Sequence, residues 1–174
     1  MSFFDAINTS MSNIASGGFS SRNGSIGYWN DIPLIQYIII LFMFLAGTNF
    51  VLIYFGIIGK IKKIIHDTEF KWYLSLISSF VIIVTITLYF SVDLSTTDVN
   101  HPQVLGKFES SFRHALFQVV AIITTTGFVT GDFISWGPFL TMLFFGIMFL
   151  GGSSGSTSGG VKILRHLILI KNGF

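Results

Sequence analysis

Residues 151–160 read Gly-Gly-Ser-Ser-Gly-Ser-Thr-Ser-Gly-Gly, a run of glycine and hydroxyl residues set between the apolar stretches FLTMLFFGIMFL and VKILRHLILI. Two further segments, AINTSMSNIASGGFS and ALFQVVAIITTTGFV, each begin with helix-compatible residues, pass into small or hydroxyl residues and end in Gly-Phe. Such residues offer carbonyl and hydroxyl oxygens with no fixed charge. Oxygens of that kind can replace the water of a cation entering a pore. Turning a carbonyl toward a common axis often needs a backbone conformation open mainly to Gly. A short helix ending just before such a loop directs the negative end of its dipole at the ion. The candidate ion-coordinating residues are therefore Ala15, Ser16, Gly17 and Gly18 in the first loop, and Thr124, Thr125, Thr126 and Gly127 in the second. Thr hydroxyls there add oxygens or brace the loop. Neither loop holds a carboxylate, which favours a monovalent over a divalent cation.

A helix through 151–160 costs up to about 1 kcal/mol per Gly relative to Ala, so the third apolar span is expected to break there. The functional reading makes Gly151, Gly152, Ser153, Ser154, Gly155, Ser156, Thr157, Ser158, Gly159 and Gly160 a gating loop beneath the ion-coordinating loops. Two alternatives stand beside it: tight helix packing through the small-xxx-small spacing of Gly151, Gly155 and Gly159, and a flexible linker. A nucleotide-binding loop is excluded, because Val161 and not Lys follows Gly160. Lys162 either snorkels to the inner interface or presents its charge at the inner mouth of the pore.

These segments need elements to hold them. The chain has 174 residues, 51% apolar and only 10% charged, with 20 Phe, 18 Gly, 3 Pro and no Cys. Mean hydropathy is +0.73. A soluble domain carries about a quarter charged residues. The composition rules out a disordered tail, a disulfide scaffold and a cysteine-ligated metal or redox site. A net charge of +2 gives no reason to expect nucleic acid. Residues 32–59, 72–92 and 133–161 are free of Asp, Glu, Lys and Arg, and a bilayer core needs about 20 apolar residues of helix. The spans predict an all-α integral membrane protein. Lys60, Lys62, Lys63, Lys71, Lys162, Arg165 and Lys171 fall on one side if the spans alternate, and only Arg22, Lys107 and Arg113 on the other. The positive-inside rule places residues 60–71 and the C-terminal segment in the cytoplasm. The acids Asp5, Asp31, Asp93, Asp98, Glu109 and Asp132 lie on the outer side.

In that topology the two Gly-Phe segments enter and leave by the outer face, as re-entrant loops do where they line protein or a water-filled cavity. They also belong to an internal repeat. Placing Gly18-Phe19 on Gly127-Phe128 puts Phe3 on Phe112 and Ala6 on Ala115; with four fewer residues in the second loop, Pro33 falls on Pro138, Leu45 on Leu150 and Gly47 on Gly152. The expected organisation is a pore loop at 3–31 and an inward helix at 32–59, then a cytoplasmic loop at 60–71. A complete repeat follows: outward helix 72–92, outer loop 93–112, pore loop 113–135 and a broken inward helix over 136–171.

The loops ASGGFS and TTTGF, with GGSSGSTSGGVKILR after them, resemble the TrkH/KtrB superfamily of potassium transporters, over essentially the whole chain. The resemblance implies a pseudo-fourfold cation pore of four helix–pore loop–helix repeats, of which this chain matches about one and a half. Gly18 and Gly127 match the filter glycines, with K⁺ at their carbonyls, and residues 151–160 match the intramembrane gating loop. It implies potassium uptake across a bacterial cytoplasmic (inner) membrane, with potassium as the transported substrate and no cofactor. The implied partners are membrane lipid, a second copy in a homodimer and a cytoplasmic nucleotide-responsive regulatory ring of the TrkA or KtrA type. The first and fourth repeats are missing, so the chain reads as a fragment.

An enzyme finds little support. His66, His101, His114 and His166 show no close metal-ligand spacing. No base is identifiable beside the many hydroxyls, and Asp132 reads as an outer-mouth acid that concentrates cations. The alternative is an assembly subunit of a transport complex with no pore of its own.

Overall fold

A computed structural model describes residues 1–92 and 103–172. Asp93, Asp98 and His101, with the first half of the expected outer loop, lie outside the described residues. Helix α1 (Phe3–Ile14) starts at a reciprocal cap, in which the Ser2 hydroxyl accepts from the Asp5 amide and the Asp5 carboxylate accepts from the Ser2 amide. Helix α2 (Pro33–Ala46) opens on Pro at its first position, where the missing N–H costs nothing. Helix α3 (Phe50–Ile57) starts at Asn49, whose side chain accepts from the Val51 amide. Helix α4 (Ile61–His66) is short, and Asp67 both ends it and caps α5 (Thr68–Ser91). Helix α6 (Lys107–Ile123) precedes the second Gly-Phe loop. Helix α7 (Pro138–Ile147) again opens on Pro, and α8 (Ile163–Asn172) follows residues 151–160. The described residues form no strand, only one isolated bridge between Leu150 and Val161.

The structure departs from the expected elements in three places. Residues 32–59 form two helices rather than one, bent by 111° between α2 and α3 at Gly47–Asn49. Helix α5 begins at Thr68, four residues before the expected start, because Asp67 accepts from the Phe70 amide at 2.8 Å. Helix α6 begins at Lys107, inside the expected outer loop, so Arg113 is a helical residue. Among the described residues α5 is the one continuous helix long and apolar enough to cross a membrane; the bent pair α2–α3 passes the same test as a broken span.

Helix α6 is the centre of the packing. From Ser110 to Ile123 it is buried almost all round, between α5 and α2 and against α7. Phe117, Val119, Val120 and Ile123 supply its apolar contacts, met by Ile77, Val81, Val84 and Leu88 of α5 and by Ile40 and Met43 of α2. The C-terminal end of α2 is fixed to α5 by the Phe44–Tyr73 ring stack, centroids 5.1 Å apart, and by the Tyr73 hydroxyl donating to the Phe44 carbonyl at 3.2 Å. The outward faces stay apolar: Ile82, Ile86 and Phe90 on α5, Leu34, Ile38 and Leu41 on α2, Phe139, Met142 and Phe145 on α7 are all exposed. An apolar surface of that extent belongs against lipid or further protein.

Candidate functional site

The two Gly-Phe loops share the same helix-terminating closure. Ala15 is the C-cap of α1 and Thr124 that of α6. The next residue of each is left-handed, Ser16 at φ 51° and Thr125 at φ 54°, and so is each filter-candidate glycine, Gly18 at φ 68° and Gly127 at φ 80°. In the first loop the Ser16 amide donates to the Asn13 carbonyl at 3.0 Å and the Gly17 amide to Ser12 at 2.8 Å. In the second, Thr125 donates to Ile122 at 2.9 Å and Thr126 to Ala121 at 2.9 Å. This is the Schellman closure of a helix C-terminus, normally made with Gly at the left-handed position. A β-branched residue in that conformation is an outlier, and nothing in the repeat's sequence marked Ser16 and Thr125 as left-handed.

The closure turns the loop amides back into the helix end and leaves the carbonyls unused. No described residue donates a hydrogen bond to the carbonyl oxygens of residues 15–18 or 124–127. The hydroxyl of Thr124 bonds the Val120 carbonyl at 2.8 Å and the Thr126 hydroxyl at 2.8 Å, so these two side chains brace the loop. The loops touch each other: a Cβ added to Gly18 would overlap the Thr126 carbonyl oxygen. Their Phe residues differ, Phe128 being fully buried and Phe19 80% exposed.

Residues 151–160 are not helical, which removes the helix-packing alternative for Gly151, Gly155 and Gly159. The segment is a closed loop. The Gly151 amide donates to the Val161 carbonyl at 2.9 Å, and the Gly152 amide to the Ser158 hydroxyl at 3.1 Å. Gly151 has no room for a side chain, since a Cβ there would sit 2.5 Å from the Gly159 carbonyl. The loop lies against both Gly-Phe loops through their left-handed residues. The Ser16 and Thr157 hydroxyls are 3.0 Å apart, and the Gly159 amide donates to the Thr125 hydroxyl at 2.6 Å. It also lies against the bend between α2 and α3. Ser153 donates to the Gly47 carbonyl at 2.9 Å, Thr157 to the Ala46 carbonyl at 3.2 Å, and the Phe50 amide to the Gly155 carbonyl at 3.2 Å.

Lys162 folds back onto this loop. Its ammonium donates to the Ser156 and Ser158 hydroxyls at 3.2 and 3.1 Å and also contacts the Ser158 carbonyl. Glu69, which the sequence reading left unused, accepts from the Ser154 amide at 2.5 Å. Asp132 caps the short helical turn Phe133–Trp136 through the Ile134 amide at 2.9 Å. Arg113, counted among the outer-side cations, is fully buried. Among the described residues no group of His, Cys, Asp and Glu is placed to hold a metal ion.

The family described as cation transport protein TrkH matches residues 1–174, the whole chain. Relatives with that name include the Trk system potassium uptake protein TrkH of Salmonella typhimurium, 38% identical over 99% of this chain and 34% of its own length. The Trk system potassium uptake protein TrkG of Escherichia coli K12 is 39% identical over 98% of this chain and 33% of its own. The crystal structure of the potassium transporter TrkH from Vibrio parahaemolyticus superposes with a TM-score of 0.84 at 34% identity, over 99% of this chain and 35% of that one. The chain thus spans about a third of the length of the curated relatives it matches. Proteins of this kind are membrane transporters and not enzymes. A chain whose described residues are mostly helical, and that matches this family from end to end and a solved member of it in three dimensions, belongs to the TrkH family of cation transport proteins.

Proposed function

We propose that this chain supplies two of the selectivity-filter segments and the intramembrane gate of a potassium-uptake pore in a bacterial cytoplasmic membrane. The observation that carries the reading is the pair of loops whose amides are spent on closing helix ends while the carbonyls of residues 15–18 and 124–127 stay unbonded. A set of carbonyls left free at the ends of two helices is suited to a dehydrated cation. Potassium is the cargo to be expected from the names of the relatives. It would pass the carbonyls of Gly18 and Gly127, with the pseudo-fourfold ring completed by further repeats. Residues 151–160 would obstruct the path below the filter, held by the Thr157 and Gly159 contacts and by Lys162. Entry into the cytoplasm gains about 2.3 kcal/mol per 100 mV of inside-negative potential, so the pore itself needs no ATP hydrolysis. A second copy and a cytoplasmic nucleotide-binding regulator of the TrkA type are the partners of this reading. The basic segments at 60–71 and 162–171 would face that regulator.

The test is rubidium-tracer uptake with sodium competition in potassium-uptake-deficient cells. The cells carry the complete open reading frame that encodes this chain, unaltered or as Gly127→Ser, with the regulator supplied. Uptake by the unaltered protein, weakened or opened to sodium by the substitution, is the expected result. No uptake despite good membrane expression, and no effect of Gly127→Ser, would favour an assembly subunit without a pore.

A further inference from the structure

The exit of the second loop is held by residues of the first repeat. Ile26 and Gly27 donate their amides to the Val129 carbonyl, both at 3.1 Å, and the Val129 amide donates to the Ser25 hydroxyl at 3.3 Å. The Asn30 side-chain amide donates to the Thr130 carbonyl at 3.0 Å, and the Thr130 hydroxyl lies 2.9 Å from Nδ1 of His114. Thr130 is fully buried. Only two residues separate it from Gly127.

Asn30 can hold Thr130 in this way only if its amide points one way round, and a chain of buried groups fixes that orientation. The Arg113 guanidinium donates through Nε to Glu109 at 2.9 Å and through a terminal nitrogen to the Gln36 side-chain oxygen. Arginine has five donors and no acceptor, so Gln36 must turn its oxygen to Arg113 and its nitrogen away. That nitrogen donates to the Asn30 side-chain oxygen at 2.5 Å. The Asn30 nitrogen is then the group left to face Thr130. Tyr37 completes the anchor, donating to Glu109 at 2.9 Å. Asn30, Gln36 and Arg113 are all buried, and Arg113 sits on α6 while Gln36 and Asn30 belong to the first repeat. A buried charge is costly without partners, so this one needs a structural or functional reason.

We propose that Arg113, Gln36 and Asn30 form a positioning relay that sets the Thr124–Gly127 loop in the geometry that discriminates potassium from sodium. The relay rests on the filter reading given above. It makes selectivity depend on residues that touch no ion, and it couples the two repeats across their shared outer face.

Asn30→Asp tests it: the side chain keeps its shape but sets a carboxylate oxygen against the Thr130 carbonyl. Gln36→Met, uncharged and of similar volume, cuts the relay upstream and covers the case in which a new buried carboxylate stops folding. Both are measured in the complete reading frame by rubidium uptake, sodium inhibition and membrane abundance. Sodium sensitivity is expected to rise at least about threefold, as the loss of one buried hydrogen bond allows, at unchanged abundance. A variant that reaches the membrane with unaltered sodium inhibition, or that loses rate without any change in selectivity, overturns the relay. An unaltered protein that takes up no rubidium overturns the filter reading, and the relay with it.

Discussion

Gly18 and Gly127 occupy equivalent places in the repeat, yet the structure separates them energetically. Both have positive φ, 68° and 80°, so Ala at either costs about 1–2 kcal/mol for an L residue in the left-handed region. At Gly127 that is the whole cost, because nothing among the described residues lies within 4 Å of an added Cβ. At Gly18 the added Cβ overlaps the Thr126 carbonyl oxygen and comes within 3.1 Å of the Gly127 carbonyl carbon. These are backbone atoms, so the two loops must move apart, and overpacking of this kind costs about 1–3 kcal/mol more. Gly18→Ala is therefore expected to destabilise by about 2–5 kcal/mol and Gly127→Ala by about 1–2 kcal/mol. Detergent-solubilised full-length protein would be heated in steps and the monodisperse fraction followed by size-exclusion chromatography. The expected order of midpoints is unaltered protein, then Gly127→Ala, then Gly18→Ala. Equal midpoints for the two variants, or a Gly18→Ala protein as stable as the unaltered one, would refute the close approach of the loops and the argument built on it.

Two further outcomes follow from particular contacts. Thr125→Ala removes the hydroxyl that accepts from the Gly159 amide at 2.6 Å. Losing that bond loosens the 151–160 loop by about 1 kcal/mol, so basal rubidium flux without regulator should rise about fivefold; an unchanged flux would detach this contact from gating. Asp5 is the acid to watch in acid titration. The Ser21 hydroxyl first, then Ser2 and Arg22, hold its carboxyl down to about 2 from 3.8. A lowered folded-state value means that its stabilising contribution is present above the unfolded value and disappears as pH falls through the folded one. Thermal midpoints of Asp5→Asn and the unaltered protein should differ by a constant amount above about pH 5 and converge progressively between about pH 5 and about pH 1; a difference undiminished from about pH 5 down to about pH 2 would contradict this account.

The repeat was legible in the sequence because its punctuation is chemical: Gly-Phe after hydroxyl or small residues, then Pro at the start of α2 and α7. The break at 151–160 was legible because ten residues without an apolar side chain cannot be an ordinary span. That Arg113 is buried rather than solvated was not legible, although Glu109 four residues earlier marked an ion pair along one helix face. The break at Gly47–Asn49 was not legible, since three small or polar residues inside an apolar run pass for part of a helix. Its reason is tertiary. A helix that ends inside a membrane leaves carbonyls that water cannot satisfy. Those at the end of α2 find partners across the chain: Phe44 takes the Tyr73 and Thr48 hydroxyls, Ala46 takes Thr157, and Gly47 takes Ser153. The partners of Ala46 and Gly47 come from the second repeat's own break, and the first break returns a bond through the Phe50 amide to Gly155. Each break therefore supplies what the other lacks. It also follows that the 151–160 loop cannot leave its place without exposing the end of α2, so any opening motion should carry the α2–α3 bend with it.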